Sequence, residues 1–237
     1  MLLPNYREGA IDIIQLKNIY PGIGQRGHVS YGGNQRWLES PVLQRCGCGV
    51  VAALDLVRYL HLYHPGCAAS FFTGVENTPS LPRQVYDLCA VRMHKGYVPV
   101  LWPLGTNGLS LAAGMNRYFR RYNLPLRARW GLTHQQIWPH IEEMLRQDIP
   151  VILSIGNNFP RMWRREKAVL YQKTADESLR ESCRVRAHFV TVTGIDAKWM
   201  QISSWGRLYW ISRQEYEYFC RRQSNSMLCN ILYITHK

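Results

Sequence analysis

The pattern of apolar and polar positions changes character along the chain. Between Gly49 and Tyr63 the residues Val50, Val51, Leu54, Val57 and Leu60 recur close to helical spacing, which predicts a helix opening near Cys48. Arg83 to Lys95 and Leu109 to Tyr122 read as two more helices, with Asn107 placed to cap the second. Thr133 and Gln136 form a Thr-x-x-Gln capping box, which predicts another helix running to about Gln147. Strands take over from there. Val151 to Ile155 is a short apolar run, and His188 to Ile195, HFVTVTGI, alternates and is rich in β-branched residues. Met200 to Ser203 and Leu208 to Ile211 read as strands joined by a turn at Trp205-Gly206, and Ile231 to Thr235 as a last one. Helices first and antiparallel strands second predict an α+β fold. In this reading a single domain has a helical lobe over about residues 1–125, packed on a β lobe over about 126–237, with a cleft between them.

Asn157 to Arg186 fits neither pattern. About thirty residues without periodicity are long for a connection inside a compact domain. The expectation is a short helix of its own or a lid over the cleft. Arg161, Arg164 and Arg165 would hold an acidic stretch of substrate, and Met162 and Trp163 would cover an apolar one.

Composition narrows the function class. The chain has 237 residues, 46% of them hydrophobic, enough for a buried core and too many for a disordered chain. No window holds the ~18 consecutive apolar residues that span a bilayer. MLLPNYREGAIDIIQLKN lacks the basic start, apolar core and small-residue cleavage site of a secretory signal. The expected location is the cytoplasm, or export without a conventional signal peptide. Seven cysteines at irregular spacing read as reduced thiols, and Cys46-Gly47-Cys48 has no second ligand pair, so neither metal nor cofactor is expected. The formal net charge of +13 attracts anions. Its clusters, such as Arg117, Arg120 and Arg121, accompany no nucleic-acid motif. A solvated basic surface is therefore expected rather than a dedicated nucleic-acid site, with an acidic partner surface as the alternative use of that charge.

Reactive chemistry concentrates at two places. Cys48 lies where a helix should begin, and unpaired N–H groups at a helix start favour a thiolate. Cys46 lies two residues earlier, in what reads as the approach loop. His188 opens an apolar strand, which would hold an imidazole rigidly at a cleft. His61, His64, His134, His140, His28, His94 and His236 have no such setting.

The order of Cys at a helix start, His at a strand start and then Ser203-Ser204-Trp205-Gly206 resembles the papain-like cysteine peptidase superfamily, where papain has Asn-Ser-Trp-Gly. Gly47-Cys48-Gly49-Val50-Val51-Ala52-Ala53 is similar to the Gly-Cys-Gly-Pro-x-Ala-Ala helix of bacterial members related to the peptidases that trim double-glycine bacteriocin leaders. Tyr31-Gly32-Gly33-Asn34-Gln35-Arg36-Trp37 resembles a Gly-Gly-x-Gln-x-Trp segment of that group. The resemblance implies a papain-like fold and a peptide or protein substrate. It makes Cys48 the nucleophile and His188 its base, with a glutamine and the Cys48 N–H holding the oxyanion. Gln35 and Gln44 both precede Cys48, by thirteen and four residues, where papain has six. Four leave little room for a loop, and Gln35 lies in the matching segment, so Gln35 is preferred. Ser203 falls where the imidazole-orienting Asn would be. Asp196 reads as a hairpin cap. Peptide hydrolysis is the leading function. Acyl transfer or deamidation through the same pair, and a catalytically silent binding protein, are the alternatives. An activated Cys48 would alkylate fast near pH 6.

Overall fold

The computed structural model describes residues 13–25, 27–133, 136–157 and 165–236. Three short strands come first, β1 (Ile14–Gln15), β2 (Gly22–Gln25) and β3 (His28–Val29), followed by a single 3-10 turn at Gln35–Trp37. Helix α1 (Pro41–Cys46) starts where its sequence dictates. The Ser40 hydroxyl accepts from the Leu43 N–H, and Pro41 takes the first helical position, where it has no helical N–H to lose. Helix α2 (Cys48–Tyr63) follows after Gly47 alone. A Cβ on Gly47 would stand 2.4 Å from the Leu43 carbonyl oxygen, so only glycine lets the chain pass from one helix into the next here. Cys46 therefore closes α1 and does not lie in a loop.

Every residue of α2 from Gly49 to Leu60 is buried, as a helix apolar on all sides requires. Its two charged residues bond internally, Asp55 through both carboxylate oxygens and Arg58 through Nη2 alone, with Arg58 Nε and Nη1 buried without a hydrogen-bond partner among the described residues. The Arg58 guanidinium donates to the Glu76 and Thr78 carbonyls, and Asp55 accepts from Gly33 and Tyr86. Strand β4 (Ser80–Pro82) runs parallel to β2, and β3 pairs with β2 antiparallel. Helix α3 (Arg83–Gly96) packs on α2, and α4 (Gly108–Arg121) opens with Asn107 accepting from the Ser110 N–H.

The second half builds a large antiparallel sheet. Its elements are β5 (Leu126–Trp130), α5 (Ile137–Arg146), β6 (Val151–Ile155), β7 (Ala168–Lys173), β8 (Leu179–Val185), β9 (His188–Ile195), β10 (Trp199–Ser204), β11 (Arg207–Ser212), α6 (Arg213–Gln223) and β12 (Ile231–His236). The strand order is β5-β12-β6-β9-β10-β11-β7-β8, with β1 alongside the end of β9. β9 is central and buried along its whole length, under α2. The architecture is mixed α+β, with six helices among the described residues. Among the same residues no helix is long and apolar enough to cross a membrane.

The predicted helices and strands recur with small shifts in their ends, and two expectations need correction. Helix α5 begins at Ile137, and its cap position, Gln136, makes no side-chain capping bond. A helix starting beside Thr133 would carry Pro139 in its interior, where it breaks a hydrogen bond and clashes; from Ile137 it lies in the first turn. His134 and Gln135 lie outside the described residues. Among its described residues, the stretch from Asn157 to Arg186, which fits neither pattern in the sequence, holds the β7–β8 hairpin. Its strands hide from the sequence because β8 is an edge strand with mostly exposed polar residues, and the register slips between Leu170 and Tyr171. Arg161, Met162, Trp163 and Arg164, assigned to a lid, lie outside the described residues.

Candidate active site

Cys48 is the first residue of α2, half-buried against β9. The backbone N–H groups of Phe189, Gly49 and Cys48 itself are directed at its sulfur and favour the thiolate, but burial outweighs them and pushes the thiol up. Cys46 points elsewhere. Its thiol reaches the Pro103 carbonyl at 3.5 Å, on the rim of the cleft.

His188 is held from both sides. Its strand pairs with β6 at Ile155, and β10 runs along the other edge. The preceding residue, Ala187, has φ of 51°, a strained conformation of the kind found where a side chain must be aimed. The imidazole is buried and stacks on Trp205, with ring centroids 4.6 Å apart and planes 21° off parallel. Its Nε2 lies 2.8 Å from the Ser204 hydroxyl. This corrects the assignment of Ser203. The Ser203 hydroxyl donates instead to the Tyr31 carbonyl at 2.8 Å. Successive residues of a strand face opposite sides, so only one of the two serines can face the ring. The one that does is Ser204, and residue order alone does not announce it.

Trp205 and Gly206 form the two-residue turn joining β10 to β11. Both have positive φ, 48° and 74°, as the tight hairpin turn requires. A tryptophan is strained there, and the turn is pinned by its neighbours. Tyr31 N–H donates to the Gly206 carbonyl, Gly206 N–H to the Gly33 carbonyl, and the Asn34 side-chain amide to the Trp205 carbonyl. The Gly33 N–H donates to Asp55 Oδ2 of α2 at 2.8 Å. The segment leading into Gln35 is thereby tied to both the cysteine helix and the histidine hairpin.

Gln35 is buried, and its side-chain amide donates to the Gln44 carbonyl at 3.0 Å. An amide nitrogen carries two hydrogens, so this bond orients the group and leaves the second N–H for another acceptor. Gln44 turns its own amide to the Leu38 carbonyl at 2.7 Å. Of the two glutamines, Gln35 shares a cavity with Cys48, and Gln44 braces it. Gln35, Cys48, His188, Ser203 and Ser204 line one small cavity of about 20 Å³. Gln35, Cys48 and His188 also line a cleft of about 350 Å³, whose far side is formed by Leu101, Pro103, Leu104 and Leu228.

The electrostatics are those of a neutral resting site. Burial lowers the imidazole of His188 to about 4, and the nearby Arg36 charge pushes the same way. No hydrogen bond joins thiol and imidazole among the described residues. Beneath Cys48, two turns along the same face of α2, Asp55 is buried with its carboxyl raised to about 7 by desolvation, against the lowering effect of the bonds from Gly33 and Tyr86. Fast alkylation near pH 6 therefore does not follow from this geometry. Asp55 was missed in the sequence, though an acid in an apolar helix seven residues after the cysteine was a signal on the page. Asp196 caps the β9–β10 turn as expected, accepting from the Lys198 and Trp199 N–H groups. Among the described residues no three His, Cys, Asp or Glu side chains group as a metal ion would need.

The sequence matches no model of a known protein family and no curated protein.

Proposed function

We propose that the chain is a papain-like cysteine hydrolase that cleaves a peptide or protein amide bond through a thioester at Cys48. The observation that carries this reading is the convergence of Cys48, His188 and Gln35, from a helix, a strand and a turn, on one small cavity beside an open cleft. With Nε2–H donating to the Ser204 hydroxyl, Nδ1 is the basic nitrogen, and it takes the thiol proton as sulfur attacks the carbonyl carbon. The oxyanion meets the free N–H of Gln35 and backbone N–H at the start of α2. The C–N bond then breaks, His188 returns the proton to the leaving amine, and water attacking the thioester releases the acid and restores the thiol.

A neutral pair fits this sequence of events. The thiolate forms as the substrate carbonyl accepts it, and substrate in the cleft excludes water from the exchange. The Ser204 hydroxyl orients the ring without stabilising an imidazolium as a carboxylate would. That feature, together with the unbonded thiol and imidazole, favours a second reading, a papain-like fold that binds peptides without cleaving them. The experiment that separates the two is digestion of a mixed peptide library, with new termini read by mass spectrometry. Cleavage by the wild type that disappears in both Cys48→Ala and His188→Ala supports the hydrolase. Binding of peptides with no new termini supports the second reading.

A further inference from the structure

The cleft does not end at the reacting residues. Gln35, Arg45, Ala187 and His188 line both the cleft and an adjoining trough of about 530 Å³. The trough has a different character. Arg36 and Arg45 enter it from the helical side, and Lys167, Arg184 and Arg186 from the β7–β8 side. None of the described residues that line it carries a carboxylate. Arg184 is partnered by Glu181 at 2.7 Å, whereas Arg36, Arg45 and Lys167 form no ion pair among the described residues. Cations left unpaired on facing walls concentrate positive potential between them. On the other side of Cys48 the cleft is of mixed character, with Thr106, Asn107 and Ser154 beside Leu101, Pro103, Leu104 and Leu228, and its apolar part is a loop that exposes Leu101, Trp102 and Leu104 to solvent at 62%, 55% and 83%.

We infer that this trough binds an acidic segment of the substrate polypeptide, so that the scissile bond lies between an acidic stretch and an apolar one. The inference rests on the reading of Cys48 and His188 as the reacting pair, because it is their position at the junction that divides the two subsites. A peptide is favoured over a nucleic acid by the aromatic content of the trough. Among the described residues that line it, Trp205 is the one Trp, Tyr or Phe; it is stacked on His188 and carries the Arg36 guanidinium 5.5 Å from its centroid, so that ring is already engaged.

The test is binding to the Cys48→Ala protein, read by fluorescence anisotropy. Four probes are compared: a labelled peptide with glutamates in one half and leucine and alanine in the other, its glutamine analogue, its lysine analogue, and an oligothymidylate of equal charge. At about 50 mM salt the acidic peptide should bind about tenfold tighter than the glutamine analogue, and the gap should close near 500 mM. The double variant R45E/K167E, made in the same background, should lose that gap and prefer the lysine analogue. Equal binding of acidic and glutamine peptides overturns the inference. So does oligothymidylate binding as tightly as the acidic peptide, which would make the trough a nucleic-acid surface. The peptide series alone decides the point should the double variant not fold. The two readings fail separately. Wild-type cleavage that ignores substrate charge sinks the acidic subsite only. Charge-selective binding without any cleavage sinks the hydrolase only.

Discussion

Asp55 on the helical wall of the small cavity and His188 on its sheet wall are both buried, and burial moves them in opposite directions. The carboxyl is raised to about 7 and the imidazole lowered to about 4, because desolvation penalises whichever form is charged. The walls also differ in construction. The helical wall offers fixed dipoles at the start of α2, with Asp55 gripping the Gly33 N–H underneath. The sheet wall offers an aimed side chain, with His188 clamped between Trp205 and Ser204. The comparison teaches that the site is preorganised in position but not in charge, so in the proposed reaction proton transfer would fall at the moment of attack.

The largest break in that comparison removes the proposed nucleophile. Cys48→Ala should lower hydrolysis by roughly four orders of magnitude, and Cys46→Ala should leave it nearly intact, as measured by peptide turnover. The reverse pattern would move the chemistry to the end of α1.

Gln35 belongs to neither wall and ties the two together. Gln35→Ala should lower kcat by about a hundredfold with little change in KM, since an oxyanion donor acts mainly in the transition state. Gln44→Ala should fall short of that, because the Gln44 carbonyl, which holds the Gln35 amide, survives the substitution.

Stability against pH sharpens the contrast between Asp55 and His188. For His188 the folded value lies below the unfolded ~6.5, so the unfolded chain binds the extra proton and stability is lost as pH falls from about 6.5 to about 4. For Asp55 the folded value lies above the unfolded ~3.9, so the folded chain holds the extra proton and stability is gained as pH falls from about 7 to about 4. The two slopes oppose each other in the wild type. Asp55→Asn should unmask a loss of about 3 kcal/mol on acidification, and His188→Gln a gain of similar size, in denaturant melts at a series of pH values. Unchanged profiles in both variants would mean that neither group titrates as its burial requires.

The two serines give the smallest effects and divide them. Ser204→Ala should lower kcat about tenfold by freeing the ring, with stability changed by ~1 kcal/mol. Ser203→Ala should cost about 1 kcal/mol of stability through the lost bond to the Tyr31 carbonyl, with kcat nearly unchanged. Equal effects on kcat would erase the distinction between them.

Much of this was legible in the chain. Apolar periodicity located α2, and alternation located β9, because both elements are buried and burial writes itself into the sequence. Elements with exposed surfaces were not legible: the β7–β8 hairpin, α6 with only Tyr216, Phe219, Cys220 and Gln223 buried, and the short α1. Of the site, Cys48, His188 and Gln35 were named from the sequence and line one cavity. Ser203 was chosen by matching Ser203-Ser204-Trp205-Gly206 to Asn-Ser-Trp-Gly, and residue order alone does not say which of two successive serines faces the ring. The basic trough was invisible because Arg36, Arg45 and Lys167 are far apart in the chain and meet only when the β7–β8 hairpin faces the first helices.

The central claim, that Cys48 forms a covalent bond with a peptide acyl group under the control of His188, is tested most directly by intact-mass and peptide-mapping analysis after exposure to a peptidyl chloromethyl ketone. The account predicts one adduct per chain, on Cys48, formed by the wild type and about a hundredfold slower by His188→Gln. An adduct on Cys46, or labelling of Cys48 at the same rate in both proteins, would contradict it.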